Sequence, residues 1–279
     1  MISETQVFTA SDGYRIHYRT WLPESNAPKS IVICHHGIQS HSQWYHWSSE
    51  RMAESGLAVY FPDRRGSGLN SDQRGHADHA DRLLNDTRQM IRIARRSYPN
   101  LPVCLLGLSW GGKTALTYAL ERGGIDRLIL LYPGIIPCLR PRLHQRFLLW
   151  FAKTHDIRRR EVPIPLRDSK LFTDVAKWQQ FIEEDPLAIH DVTTGFFNCG
   201  QDLDRRCKLG STTRIPAMLV QAGKDQIIDN RATEAVVARC CPNLTTRIWS
   251  DAQHTLEFDS NRVEIFTELI NWMSRDESP

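Results

Sequence analysis

Gly107-Leu108-Ser109-Trp110-Gly111 is a G-x-S-x-G string set between the apolar run Val103-Cys104-Leu105-Leu106 and a helical pattern from Trp110 to Glu121. A strand, a sharp turn and a helix in that order hold a serine hydroxyl out at the carboxyl edge of a sheet. The glycines on either side relieve crowding in the turn, and Gly112 packs behind it. The helix start also offers backbone N–H groups to a developing negative charge. A serine in an ordinary strand-to-helix turn could serve only as a helix cap. The rest of the sequence points to nucleophilic catalysis instead.

A serine hydroxyl attacks only when a base takes its proton. In this arrangement the acid and then the base follow the serine along the chain. His254 is the one later histidine placed just past a core strand, after Leu244 to Trp249, whereas His144, His155 and His190 fall in an irregular region. A carboxylate must fix the imidazole tautomer and stabilise the imidazolium. Asp225 follows the strand Ala217 to Val220 and the turn Gly223-Lys224. Asp229, four residues on, is its rival, at a position that suits a helix cap. The earlier strand, Arg127 to Leu131, ends at Tyr132-Pro133-Gly134 and offers no carboxylate, so the acid must follow the later strand.

An acyl transfer also needs two donors aimed at the oxyanion. The backbone N–H of Trp110, next after the serine, is one candidate. The N–H of Ile38, in the loop His36-Gly37-Ile38 that ends the strand Ser30 to Cys34, is the other. His35 and His36 read as structural residues that hold this loop. This chemistry calls for no cofactor, and no Cys/His/Asp cluster has metal-ligand spacing.

The elements that must position these residues are legible as alternating strands and helices. A hairpin is expected over Val7 to Leu22, around Ser11-Asp12-Gly13. Short apolar runs follow at Ser30–Cys34, Leu57–Phe61, Pro102–Leu108, Arg127–Leu131, Ala217–Val220 and Leu244–Trp249. Such runs, bounded by turns, mark strands buried on both faces of a parallel sheet. Helical spacing appears at His79–Arg96, Trp110–Glu121, Asn230–Arg239 and Asn261–Met273. The expected fold class is α/β: a mostly parallel sheet with helices on both faces. Residues 135–213 break the rhythm and read as an inserted helical cap, with 1–134 and 214–279 forming the core.

Composition narrows the possibilities. The 279 residues are 41% hydrophobic and 24% charged, an ordinary globular balance. A net charge of +3 and no recognised reading motif argue against nucleic acid as a partner. The longest apolar run, Phe147 to Ala152, is far shorter than the roughly 20 residues of a membrane span. Seven scattered cysteines without a CxxC pair, and no basic-then-apolar N-terminal segment, fit free thiols in a reducing cytoplasm.

These motifs together resemble the α/β-hydrolase superfamily, and within it the monoglyceride lipase and lysophospholipase group of serine aminopeptidase-like hydrolases. His36-Gly37-Ile38-Gln39-Ser40-His41-Ser42 resembles the group's His-Gly-x-Gly-Glu-His-Ser oxyanion loop. Asp63-Arg64-Arg65-Gly66-Ser67-Gly68-Leu69-Asn70-Ser71 is similar to its Asp-x-Arg-Gly-His-Gly-x-Ser segment, and Gly107 to Gly112 to its Gly-His-Ser-Met-Gly-Gly elbow. Gly223-Lys224-Asp225, His254 and Asp185-Pro186-Leu187 also stand where the group has counterparts. The resemblance implies a serine esterase acting on a small-molecule ester of a single acyl chain. It assigns Ser109 as nucleophile, His254 as base, Asp225 as orienting acid, and Ile38 and Trp110 as oxyanion donors. Gln39-Ser40 in place of Gly-Glu, Ser67 in place of His and Trp110 in place of Met depart from the pattern near the substrate. The same machinery also serves short-chain carboxylesterases, amidases, aminopeptidases and cofactor-free peroxidases. A non-catalytic binding protein on this fold would usually lack a triad residue, and all three are present.

Within the expected cap, Phe147, Trp150 and Phe151 are read as substrate-binding residues, forming a wall or mouth for an acyl chain or meeting a lipid surface. The alternative is the buried face of a helix packed on the core. Residues 135–170 carry nine Lys/Arg against three acids, which would suit an anionic headgroup or bilayer.

Overall fold

The N-terminal hairpin pairs β1 (Ile2–Thr9) with β2 (Arg15–Leu22) antiparallel, in a register that places Ile2 opposite Leu22 and Thr9 opposite Arg15. The strand thus begins five residues before the Val7 expected from the sequence. Its alternation is invisible there because β1 is an edge strand, exposed along nearly its whole length. The structure is a computed structural model and describes residues 1–24, 27–139 and 143–275.

Beyond the hairpin the chain runs β3 (Ser30–His35), α1 (His46–Glu54), β4 (Leu57–Pro62), α2 (Ala80–Ser97), β5 (Val103–Leu108), α3 (Trp110–Glu121) and β6 (Arg127–Leu131). Next come α4 (Leu143–Thr154), β7 (Glu161–Pro163), α5 (Ala176–Glu184), β8 (Asp191–Thr193) and α6 (Thr194–Leu209). The chain then returns through β9 (Ala217–Ala222), α7 (Asn230–Cys240), β10 (Leu244–Trp249) and α8 (Arg262–Met273). The main sheet has eight strands in the order β1-β2-β4-β3-β5-β6-β9-β10. The pairs β1–β2 and β2–β4 are antiparallel, and the remaining pairs of this sheet are parallel. This is the α/β class expected from the sequence.

Strands β4, β5 and β9 are buried at every residue, which requires cover on both faces. One cover is α1 with α8; the other is α2, α3 and α7. Helix α2 turns Leu83, Leu84, Met90, Ile91 and Ala94 inward at helical spacing. Helix α3 is buried from Trp110 to Ala119, because α6 covers the side that the sheet does not. The segment between β6 and β9 is thus packed onto the core, and it holds a short pair of strands besides its helices α4, α5 and α6. Strands β7 and β8 pair antiparallel as a small separate ribbon, too short to leave a periodic signal.

Strand order reverses around β3: β4 lies on one side of it and β5 on the other. Open α/β sheets form their crevice at such a switch point, beyond the carboxyl ends of the strands. The loops after β3 and β5 carry Ile38 and Ser109.

Candidate active site

Ser109 sits at φ +49° and ψ −121°, a backbone conformation that side chains other than glycine rarely adopt. The surroundings hold it there. Its N–H donates to the Leu131 carbonyl at 3.0 Å, and its own carbonyl accepts from Gly112 and Gly134 at 2.8 and 2.7 Å. The flanking glycines are required by close approach. A Cβ on Gly107 would lie 2.7 Å from the Ala115 Cβ, and one on Gly111 would lie 2.3 Å from the His35 carbonyl oxygen. The elbow therefore packs between β3 and its own helix with no room for side chains at those two positions.

His254 Nε2 lies 2.9 Å from Ser109 Oγ, and His254 Nδ1 lies 2.7 Å from Asp225 Oδ2. A carboxylate only accepts, so Nδ1 carries the proton and Nε2 is left to accept from the serine hydroxyl. The second Asp225 oxygen, Oδ1, accepts from the Ile227 and Ile228 N–H groups at 2.8 and 3.0 Å, fixing the carboxylate. Asp229 is elsewhere occupied. It caps α7, accepting from the Ala232 N–H at 2.9 Å. The structure thus brings Ser109, Asp225 and His254 into one hydrogen-bonded line and leaves the rival acid out of it. The imidazole is packed edge-on by Tyr132 and Phe172, with ring centroids at 4.7 and 5.9 Å.

Ile38 and Trp110 line the same cavity as Ser109. Among the described residues neither backbone N–H has a hydrogen-bond partner. The Ile38 loop is held from behind by His36 and by Arg64, of which only Arg64 was left without a role by sequence reasoning. The Arg64 guanidinium donates to the carbonyls of Gly37 and Ile38 at 3.0 and 2.9 Å. The Arg64 N–H donates to His36 Nε2 at 2.8 Å, while His36 Nδ1 bonds the Gly37 carbonyl at 2.8 Å. Burial, followed by the charge of Arg64, holds the His36 pKa well below the ordinary histidine value, so the ring is neutral and rigidly bonded. His35 is structural too: its Nε2 lies 3.1 Å from Thr87 Oγ1, and burial lowers its pKa to about 4. Burial lowers the Arg64 pKa itself to about 9. The only advance signal for Arg64 was its place in the Asp63-Arg64-Arg65-Gly66 turn, next to a buried strand.

Two spaces open at Ser109. The larger, of about 440 Å³, is lined mostly by apolar groups, among them Ile136, Leu149, Ile164, Leu166, Phe196 and Ile227. Trp110 stacks on Phe196 at 4.7 Å between ring centroids and forms part of its wall. The smaller, of about 10 Å³, lies on the histidine side against Ser40, Tyr45, Tyr132, Phe172 and His254.

The three aromatics expected to bind substrate do not line either space. Phe147 and Trp150 are 61% and 58% exposed, and Phe151 is 39% exposed. Helix α4 is amphipathic: Leu149 and Ala152 turn inward, and the larger aromatics fall on the outer face. Leu149, a residue of the same run, is the one that reaches the cavity. Cys34 and Cys104 are buried as small core residues, as their apolar runs suggest, and all seven cysteines are free. Among the described residues no group of His, Cys, Asp or Glu could hold a metal ion, and no helix is long and apolar enough to cross a membrane.

The chain is 25% identical to the monoacylglycerol lipase of Mycolicibacterium smegmatis, over 93% of this chain and 96% of that one. It is also 25% identical to the human monoglyceride lipase, over 95% and 88%. Among solved structures, a soluble variant of the monoglyceride lipase from Saccharomyces cerevisiae, in complex with a substrate analog, superposes with a TM-score of 0.83 at 18% identity, covering 98% of this chain and 95% of that one. A thermostable carboxyl esterase from Bacillus coagulans, in complex with glycerol, gives 0.83 at 17% identity over 98% of both chains. Residues 26–261 match the family described as Serine aminopeptidase, S33, and the chain belongs to that family of α/β hydrolases.

Proposed function

We propose that this protein is a serine hydrolase that cleaves the carboxylic ester of a single acyl chain, of the monoacylglycerol or lysophospholipid kind. The observation that carries the reading is the Ser109–His254–Asp225 line opening onto an apolar cavity beside two unpartnered N–H groups. The names of its relatives, lipases acting on monoglycerides, support it.

In the proposed mechanism His254 Nε2 takes the Ser109 proton as Oγ bonds to the ester carbonyl carbon. The carbonyl oxygen becomes an oxyanion, bound by the N–H groups of Ile38 and Trp110. The C–O bond to the alcohol then breaks, and His254 returns the proton to the leaving oxygen. Water enters, gives its proton to His254 and attacks the acyl-enzyme, releasing the acid and restoring Ser109. Asp225 holds Nδ1–H throughout and stays ionised.

The leaving oxygen must lie within hydrogen-bonding reach of His254 Nε2. In this reading the alcohol lies on the histidine side of Ser109, and the apolar lining of the large cavity suits the acyl chain. Residues 135–213 act in this reading as a cap, since Leu149, Val162, Leu166 and Phe196 from that segment form much of the cavity wall. The exposed Phe147, Trp150 and Phe151 of α4, with Arg146 and Lys153 on the same helix, favour transient contact of the cap with an anionic lipid surface. Seven free cysteines fit the cytoplasm as the working compartment.

The test is hydrolysis of p-nitrophenyl esters from acetate to palmitate by wild type and Ser109→Ala. Activity that vanishes in the variant, with an optimum at medium or long chains, is expected. A folded wild type that cleaves none of the esters and takes no serine-directed fluorophosphonate label overturns the reading.

A further inference from the structure

The large cavity changes character along its length. Near Ser109 it is bounded by Ile38, Trp110 and Phe196; farther along α6 it is bounded by Gln201, Asp204 and Lys208. Phe197, Gln201, Asp204 and Lys208 follow one another at helical spacing, so a single face of α6 passes from aromatic to polar. Across from them stands Lys113, four residues after Ser109 on α3, or about 6 Å along the helix axis.

Lys113 is an unusual residue for this wall. Its side chain is only 7% exposed, and its Nζ lies 2.6 Å from Asp204 Oδ1. An ammonium has three donors, and Asp204 is its one ion-pair partner among the described residues. Burying an ion pair against apolar groups gains little over a hydrophobic residue of similar size, so packing alone does not call for lysine here. Among the described residues, the charged ones lining the cavity are Lys113, Asp204 and Lys208. Asp204 offsets Lys113, and Lys208 has no carboxylate within ion-pair distance among the described residues, which leaves this end net positive. Arg206, next but one on α6, turns the other way to Asp81, Glu121 and Asp202.

We infer that the far end of the acyl cavity, built by Lys113, Gln201 and Lys208, binds an anionic group carried on the acyl chain of the substrate. The substrate class is an ester whose acyl part bears a second acidic group away from the scissile carbonyl, a monoester of a dicarboxylic acid being the simplest case. Lys113 and Lys208 supply charge, and the Gln201 amide supplies a further donor. A plain alkyl chain would displace water from the buried Lys113 ammonium without replacing its hydrogen bonds, while the exposed Gln201 and Lys208 remain free to meet an anionic group at the cavity end. The inference rests on the ester-hydrolase reading, because it places the acyl chain on this side of Ser109.

The experiment compares p-nitrophenyl hydrogen suberate with p-nitrophenyl methyl suberate, the same chain with its far carboxylate masked. The ratio of their kcat/KM values is measured for wild type, Lys113→Met and Lys208→Glu. Wild type is expected to favour the free acid, and each variant to lower that ratio by about ten-fold, the size of one lost charge-assisted contact. Lys208→Glu alters an exposed residue and so stands in if Lys113→Met does not fold. A wild type that prefers the masked ester, or a ratio unchanged in the folded variants, overturns the inference while leaving the hydrolase reading intact. Failure of wild type to cleave either suberate overturns the inference, and overturns the hydrolase reading as well only if the acetate-to-palmitate esters and the fluorophosphonate label also fail.

Discussion

The Arg64 guanidinium lies behind the Ile38 peptide and donates to its carbonyl oxygen at 2.9 Å. Because a peptide is planar, pinning the carbonyl of Ile38 and that of Gly37 fixes the direction of the intervening N–H, the group proposed to meet the oxyanion. The Arg64 side chain also lies 4.8 Å from the Trp110 ring centroid, so one residue touches both residues of the proposed oxyanion site.

Arg64→Met should therefore lower kcat by about ten- to a hundred-fold with a small change in KM, since an oxyanion donor acts mainly in the transition state. Steady-state kinetics on a soluble ester checks this. A loss confined to KM would mean that Arg64 supports substrate binding instead.

Asp225→Asn should cut kcat by about 10³- to 10⁴-fold while the protein stays folded, because the amide permits the wrong imidazole tautomer. Asp229→Ala should leave kcat within about two-fold and cost about 1 kcal/mol of stability, the usual loss of a helix cap. Paired kinetics and denaturant melts separate the two roles.

Glu257 gives stability a pH dependence. Its carboxyl is fully buried beside Ser48, whose N–H donates to Oε1 at 3.0 Å, while Oε2 is without a partner among the described residues. Burial raises its pKa to about 7 from 4.5. In the unfolded chain the group loses its proton near the lower value, and in the folded chain near the higher. Folding is thus progressively disfavoured as pH rises from about 4.5 to about 7, by about 3 kcal/mol in all. Glu257→Gln should remove that slope, so its stability relative to wild type should be greater at about pH 8 than at about pH 5. Equal differences at the two pH values would show that the carboxyl is ionised in the folded protein.

Replacing Phe147, Trp150 and Phe151 together by serine should leave hydrolysis of a soluble short-chain ester unchanged, because none of the three lines the cavity. Binding to anionic phospholipid vesicles, followed by sedimentation, should fall about ten-fold or more, the scale expected when buried aromatic area is removed from a lipid interface. Unaltered sedimentation would restrict these residues to an ordinary exposed helix face.

The chemistry of the elbow was legible in the sequence because it is local. G-x-S-x-G between a strand and a helix leaves the chain few ways to turn, and β5, Ser109 and α3 form as their residues require. Asp225 and His254 were legible for a related reason: each lies a few residues past a strand, Asp225 after the buried β9 and His254 after the half-exposed edge strand β10, and parallel strands deliver their ends to one edge of the sheet. Other features depend on which surfaces meet. Arg64 looked like one of two arginines in a turn until β3 and β4 paired and set it under the Ile38 loop. The run Phe147 to Ala152 is apolar on all sides, so its sequence could not say which face would be buried; packing turned Leu149 and Ala152 in and left the aromatics out. Lys113 and Asp204, 91 residues apart, became a polar cavity end only when α6 was laid across α3. Sequence alone determined which residues meet as the candidate triad, because strand ends and turns are set by near neighbours. Tertiary structure decided what surrounds the substrate, because that depends on the docking of segments distant in the chain.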